Sequence, residues 1–504
     1  MKSPQNKKIK RLLIANRAEI AVRVIRTCRE LGITAIAVYS EPDRTALHIL
    51  LADEAYPLGG VTAAESYLNQ HRILDIARQA DVDAIHPGYG FLSENADFAE
   101  AVRAAGIVFI GPSAAAMRLL GDKTAARKIA RQCGVPTIAG TEDALRSENE
   151  GIKQAQRIGF PVLLKAAGGG GGKGMRVVSS AADFGAAFTT AQSEAKSAFG
   201  DGRVYLEKYI EQPRHVEIQI LADRFGNTIY LGERECSIQR RHQKVLEESP
   251  SPIITPELRR EMGEAAVKVA KVANYSNAGT VEFLVDLKKN FYFLEVNTRL
   301  QVEHPVTEAI TGLDLVKEQI SIAEGEKLQK TQEGIELSGH ALECRIYAED
   351  PQSQFFPSTG RLERYDVPSG PRVRVDSGFR CGDTVSVYYD PLLAKVITWG
   401  NERGGSIAAM QRALSEFRIE GVKTTIPFCQ FVLGNENFQR GDFDTHFVRD
   451  QFDEKDLFQS NKLEQIAAAV GAMLALRDNQ PHRNGSTNAH SDNLWKRQRE
   501  ESYR

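Results

Sequence analysis

Glu282, Glu295 and Asn297 fall within residues 280–304 (TVEFLVDLKKNFYFLEVNTRLQVEH), a stretch whose spacing suits a hard metal ion. Two runs rich in Val, Phe, Tyr and Leu flank Lys288-Lys289-Asn290, which predicts two antiparallel strands joined by a short turn. Side chains alternate along a strand, so Glu295, Asn297 and Arg299 share one face. A two-residue turn at Lys289-Asn290 sets Glu282 opposite Asn297, whereas a four-residue loop over 287–290 sets it opposite Glu295. In both registers Glu282 joins that face, with opposed Cβ atoms roughly 5 Å apart. Carboxylates that close repel and demand a cation or a proton. Their oxygens suit Mg²⁺, which favours one or two carboxylates plus substrate phosphates. Scattered Glu on a solvated hairpin would look the same, so the rest of the chain has to decide. If the chain stays extended beyond Asn297, Arg299, Gln301 and Glu303 keep facing the same way.

Three other stretches carry chemistry. Residues 161–180 (PVLLKAAGGGGGKGMRVVSS) predict strand, glycine loop, strand. A Walker loop would end in Gly-Lys-Ser/Thr and open a helix. Here Lys173 is followed by Gly174-Met175 and a β-like run, so a flap of backbone N–H groups closing over phosphates fits better. Asp183-Phe184-Gly185 spells the kinase magnesium triplet, but it lies in a helical pattern and no His-Arg-Asp loop accompanies it. Residues 232–248 gather Arg234, Arg240, Arg241, His242 and Lys244 between the flap and the carboxylate hairpin, which points to anion binding. His86-Pro-Gly-Tyr-Gly-Phe-Leu-Ser-Glu94 follows a strand, where α/β sheets place ligand contacts, although its Pro and glycines could also merely shape a turn.

The elements that must position these residues follow from the hydrophobic pattern. A length of 504 residues suggests about three domains. Strands and helices alternate over 10–110, predicting a parallel sheet flanked by helices. The first strand-to-helix turn, Ala15-Asn16-Arg17, has no Gly-x-Gly and so no dinucleotide site. One helix is predicted over 113–134 and strands over 203–210 and 214–220. A linker near 329–338 precedes β-rich pieces within 339–447 and a helix around 406–417. A last amphipathic helix at 462–476 leads into a polar tail, 478–493, expected to be disordered.

With 42% hydrophobic and 26% charged residues and a formal charge of −2, nothing in the composition points to nucleic acid or a membrane. Six scattered cysteines without Cys-x-x-Cys spacing predict free thiols, and a basic but short apolar N-terminus predicts a first strand rather than a signal peptide. The expected location is cytoplasmic.

Taken in order, IANRAEIAVRVIR, HPGYGFLSEN, GDK, AAGGGGGKGM, EKYIEQPRHVEIQ, CSIQRRHQKVLEESP, EFL, FYFLEVNTRLQVEHPVTE and ECRIYAEDP closely resemble the biotin carboxylases, which are ATP-grasp enzymes. The likeness spans residues 8–447 in register. It implies an α/β and α+β multidomain chain. A Rossmann-like N-terminal domain would occupy 1–120 and an ATP-grasp domain 121–337, with a mobile glycine-rich lid at about 137–210. A β-rich C-terminal domain would fill 338–447, with a helical extension and tail at 448–504.

The implied reaction uses ATP, Mg²⁺ (or Mn²⁺) and bicarbonate to make carboxyphosphate, which then carboxylates the ureido nitrogen of biotin. By matching motif positions, Lys123, Lys165, His242 and the flap Gly168, Gly169, Gly170, Gly171 and Gly172 would hold the phosphates. Glu207, Lys208 and Ile210 would line the adenine pocket, with His215 and Gln239 on the ribose side. Glu282 and Glu295 would carry the metal, with Asn297 close by. Glu303 would be the general base for bicarbonate, bound by Lys244, Arg299 and the backbone of Gln301 and Val302. Arg299 and Arg345 would stabilise the enolate-like oxygen of biotin.

No Ala-Met-Lys-Met signal is present, so biotin is expected on a separate carboxyl carrier protein, alongside a carboxyltransferase subunit. The resemblance also implies a homodimer. It leaves open acetyl-CoA, another acyl-CoA or pyruvate as the final acceptor. Competing readings are an ATP-grasp ligase for another carboxylate or amine, and an inactive ATP-holding scaffold.

Overall fold

Short runs of Leu, Ile, Val and Ala make the inner strands of the first sheet, and these are buried along most of their length, as parallel strands covered on both faces must be, whereas the edge strand Glu54–Pro57 is only partly covered. In the computed structural model the order is Glu54–Pro57, Thr34–Tyr39, Arg11–Ile14, Ala84–His86, Val108–Phe109, all parallel. The helix Ala18–Glu30 repeats apolar residues at helical spacing, and Ile20, Ala21, Val24, Ile25 and Cys28 enter the core beside this sheet. The structure describes residues 8–141, 143–166, 175–241, 243–457, 466–467 and 469–474. The glycine run 168–172, His242 and the tail 478–493 lie outside the described residues.

The single helix expected over 113–134 is two, Ala114–Gly121 and Lys123–Gln132. The first ends where Asp122 turns to extended backbone, and the Asp122 carboxylate accepts from the Ala125 N–H to cap the second. The break places Lys123 at the start of a helix. A three-stranded antiparallel sheet, Arg176–Val178, Val162–Ala166, Val204–Lys208, follows. The helices Glu148–Ile158 and Phe184–Phe199 share its core. Phe184 of the Asp-Phe-Gly triplet is fully buried in that core, which accounts for it without catalysis.

The largest sheet has eight antiparallel strands in the order Phe291–Asn297, Asn277–Val285, Arg214–Ala222, Thr228–Arg240, Gln243–Ser249, His340–Tyr347, Leu392–Gly400, Val373–Ser377. It runs without interruption across position 338, so residues on either side of the linker share one surface. The stretch expected as a linker is pinned to this sheet. The Gln332 amide accepts from Tyr230 N and donates to Tyr230 O. Beyond the helix Arg403–Glu416, the structure adds Ile426–Gly434, which sequence periodicity did not separate because its residues (IPFCQFVLG) are apolar almost all round.

The chain divides into units Met1–Glu454 and Lys455–Arg504. In the second, residues 466–467 and 469–474 are helical, within the helix expected there. All six cysteines are free. No described helix is long and apolar enough to cross a membrane.

Candidate active site

The strand Arg214–Ala222 alternates His215, Glu217 and Gln219 with Val216, Ile218 and Ile220, and the apolar set enters the core. The polar set meets its neighbours in register. Arg234 lies opposite Glu217, Glu217 opposite Glu282, and Glu282 opposite Glu295, so one guanidinium and three carboxylates form a row across four strands.

The hairpin turn takes neither expected form. Five residues, 286–290, close it, with Asp286 accepting from the N–H groups of Lys288 and Asn290. A bulge then shifts the register between Phe283 and Glu282. Phe293 and Val296 enter the core, while Leu294 and Glu295 both border the cleft, which is what an extra residue in one strand does. Asn297 lies opposite Thr280 rather than Glu282, yet its Nδ2 reaches Glu282 Oε1 at 2.8 Å.

The expected extension of the strand also fails. It ends at Asn297, and Glu303 stands at the N-terminus of the helix His304–Thr311. Arg299, Gln301, Val302 and Glu303 nevertheless border the same cleft, because the intervening loop turns back instead of running on. Leu300 between them is fully buried in the core that anchors the loop.

Within this cleft of about 1440 Å³, cations and anions interlock. Lys244 Nζ lies 2.6 Å from Glu217, 3.0 Å from Glu282 and 2.7 Å from Glu303. Arg345, from the strand His340–Tyr347, reaches Glu303 Oε2 at 2.9 Å. Burial works against charge on Glu303, but Lys244, Arg345 and Arg234 outweigh it and hold the carboxyl well below the usual carboxylate range. Burial is likewise overcome at Glu282, which Lys244 and His215 keep ionised. His215 is shifted up from its ordinary value, again against burial, by the Glu282 carboxylate 2.9 Å from Nε2. Gln301 is locked on both sides, accepting from Arg234 Nη2 at 2.6 Å and donating to Glu282 at 2.9 Å.

At the other end, Lys165 Nζ lies 2.5 Å from Glu207 Oε2, and Arg127 pairs with the second oxygen of Glu207. Lys208 spans to the carbonyls of Gly159 and Phe160, each at 3.0 Å. Ile210 borders the cleft, and Gln239 Nε2 sits 3.3 Å from His215 Nδ1. Lys123, freed to the helix start by the break at Asp122, meets Glu295 at 2.7 Å. Every described residue expected at the site therefore lies along one cleft.

The basic segment 232–248 is not one anion-binding patch. Arg234 is fully buried and spent on Glu217, Gln219, Thr280, Thr307 and Gln301. Arg240 turns away to Glu349 at 2.8 Å and to the Phe355 ring. Lys244 and Arg241 face the cleft. In the His86–Glu94 segment, His86 is buried against Gln319 and bonds Gly88 N, a turn-shaping role. Gly88 has φ +64, and a Cβ there would meet Asn16 Nδ2 at 2.8 Å. Glu94 does reach the site, holding Arg299 Nε at 2.9 Å.

Sequence reasoning missed Glu217 and Arg127, and it put Arg234 in an anion-binding patch instead of against Glu217. The alternation His215, Glu217, Gln219 was a readable signal for the first. Arg127 carried none, and the true role of Arg234 was hidden, since their partners lie on other elements.

Comparison with known proteins matches residues 8–117 to the biotin carboxylase N-terminal domain, 122–331 to the ATP binding domain of the carbamoyl-phosphate synthase L chain, and 343–450 to the biotin carboxylase C-terminal domain. Biotin carboxylase 1 of Bacillus subtilis is 54% identical over 441 residues, covering 87% of this chain and 98% of that protein. The chain belongs to the biotin carboxylase family. As a member it is an ATP-dependent ligase of the ATP-grasp type. A pyruvate carboxylase subunit of Methanothermobacter thermautotrophicus is 53% identical over 438 residues, covering 87% of this chain and 89% of that protein. Among solved structures, the biotin carboxylase domain dimer of the Hydrogenobacter thermophilus 2-oxoglutarate carboxylase, in complex with MgADP, ADP and bicarbonate, superposes with a TM-score of 0.84. It shares 48% identity, covering 88% of this chain and 98% of that one.

Proposed function

We propose that this biotin carboxylase uses ATP and bicarbonate to carboxylate biotin on a separate carrier protein, through carboxyphosphate. The observation that carries the reading is the placement of Glu303 between two cations, Lys244 at 2.7 Å and Arg345 at 2.9 Å, in the cleft that also holds the carboxylate row. Lys123, Lys165, His242 and the flap 168–172 take the phosphates; Glu207, Lys208 and Ile210 receive the adenine; His215 and Gln239 lie toward the ribose. Glu282, Glu295 and Asn297 present hard oxygen donors to the cleft and would hold Mg²⁺, which when bound neutralises phosphate charge during transfer. Lys123 pairs with Glu295 and Lys244 with Glu282, so these two lysines would give up those contacts to a bound Mg²⁺.

Bicarbonate binds Lys244 and Arg299. The carbonyls of Gln301 and Val302 are taken by His304 and Lys395, so these two residues offer the anion their N–H groups. Glu303 is ionised and takes the bicarbonate proton. Its proton affinity rises as the anion draws off the charge of Lys244, so substrate binding itself readies the base. Arg299 and Arg345 then meet the developing oxyanion of biotin with fixed positive charge.

The relative solved as a domain dimer supports a homodimer here. In this reading a biotin carboxyl carrier protein and a carboxyltransferase would be its partners. Relatives at 53% and 47% identity are named for pyruvate and propionyl-CoA carboxylases respectively. The parent complex is accordingly an acetyl-CoA, acyl-CoA or pyruvate carboxylase of the cytoplasm. The deciding assay is ATP cleavage by the purified chain. It is expected to require bicarbonate and to be stimulated by free biotin, and biotin-independent turnover on another acid would overturn the reading.

A further inference from the structure

Two acids that this mechanism does not use stand beside Arg345. Glu247 and Glu343 are directly opposed on the neighbouring strands Gln243–Ser249 and His340–Tyr347, and neither is exposed at all. Arg345 follows Glu343 by two positions on one strand, so the three side chains share a face. Its Nη2 lies 2.5 Å from Glu247 Oε1 and 2.9 Å from Glu303 Oε2, bridging the two acids. Neither acid makes a well-formed hydrogen bond among the described residues, and Glu247 alone has an ion pair, the one to Arg345. Lys395, directly across from Arg345, is engaged by Glu19 at 3.3 Å and by the Val302 carbonyl at 2.8 Å.

Opposed carboxyls at roughly 5 Å, buried with one guanidinium to share with Glu303, cannot both stay charged. Burial pushes Glu343 well up, against the opposing charge of Lys395, and takes Glu247 up to about 7, against that of Arg345. Glu247 touches the cation and is the more readily ionised of the two. Glu343 touches none and keeps the proton, as carboxyl pairs in closed sites do.

The proton transfer assigned to Glu303 shows what this arrangement does. When Glu303 takes the bicarbonate proton it becomes neutral, and Arg345 loses one of its two anions just before biotin requires its charge. Glu247 takes no part in that transfer. We propose that Glu247, with Glu343 behind it, is a positioning residue that keeps Arg345 aimed at the cleft while Glu303 changes charge. This rests on the roles given above to Glu303 and Arg345.

The test uses the full chain, free biotin and three variants. Glu247→Gln is expected to lower kcat for biotin carboxylation about 10- to 100-fold, the scale of a misaimed catalytic group, while biotin-independent, bicarbonate-dependent ATP cleavage and the KM for ATP stay within about twofold. Equal loss in both reactions, or no loss in carboxylation, overturns the proposal. Wild type should show the infrared band of a protonated carboxyl at neutral pH, and Glu343→Gln should remove it; persistence of the band in that variant also overturns the arrangement. If Glu247→Gln does not fold, Glu247→Asp, which keeps the charge but withdraws it, must give the same split. Arg345→Ala separates the two levels. Full biotin carboxylation by that variant defeats the role of Arg345 itself, whereas an inactive Arg345→Ala beside a fully active Glu247→Gln defeats this inference alone.

Discussion

Glu217 stands directly across from Glu282 on adjacent antiparallel strands, and a single ammonium group, Lys244 Nζ, touches both at 2.6 and 3.0 Å. Directly opposed like charges destabilise a sheet, so the pair persists because Lys244 and Arg234 are placed against it.

Removing that cation should therefore cost fold stability as well as activity. Lys244→Met leaves Glu217, Glu282 and Glu303 crowded without it, and breaking a buried pair in this way costs about 3–5 kcal/mol. Urea unfolding should show the loss; a variant as stable as wild type would mean that the carboxylates are protonated.

The two acids of the hairpin differ in what holds them. Glu282 is buried under four side-chain partners, whereas Glu295 is met by Lys123 and borders the open cleft. Glu295→Gln should weaken Mg·ATP about tenfold or more with little change in melting temperature. Glu282→Gln should weaken it and also lower the melting temperature. Nucleotide titrations with and without Mg²⁺ would separate these effects.

Glu303→Gln should abolish bicarbonate-dependent turnover by at least the roughly 10²- to 10⁴-fold of a lost general base while ATP binding stays nearly intact. Full turnover in this variant would remove the base assignment.

Acid stability tests the first sheet. Burial holds His86 down to about 4 from an ordinary 6.5, with Gln319 only partly offsetting it. The unfolded chain thus binds the extra proton between these values, so the contribution is whole above pH 6.5 and is lost as pH falls through 4. At pH 5 the loss from this group amounts to about 2 kcal/mol. Melting temperatures at pH 7 and pH 5 should show a smaller fall in His86→Gln than in wild type.

Much of this site could be read in the chain because its chemistry rests on local alternation. The period of two in 280–297 put Glu282 and Glu295 on one face, and the motif order named Lys123, Lys165, Lys244, Glu303 and Arg345 before any coordinates. What alternation could not supply was the bulge at Leu294, which alone reconciles a five-residue turn with Glu282 facing Glu295, or the loop that returns Glu303 to the cleft after the strand ends. Both depend on how Phe293, Val296 and Leu300 find room in the core. The sequence by itself determined which side chains could bind a metal, a phosphate or a proton, since type and short-range spacing are written along the chain. The tertiary structure decided which charges neutralise which, because Arg234 with Glu217, Arg345 with Glu247 and Glu94 with Arg299 pair across separate elements, and only packing sets those distances.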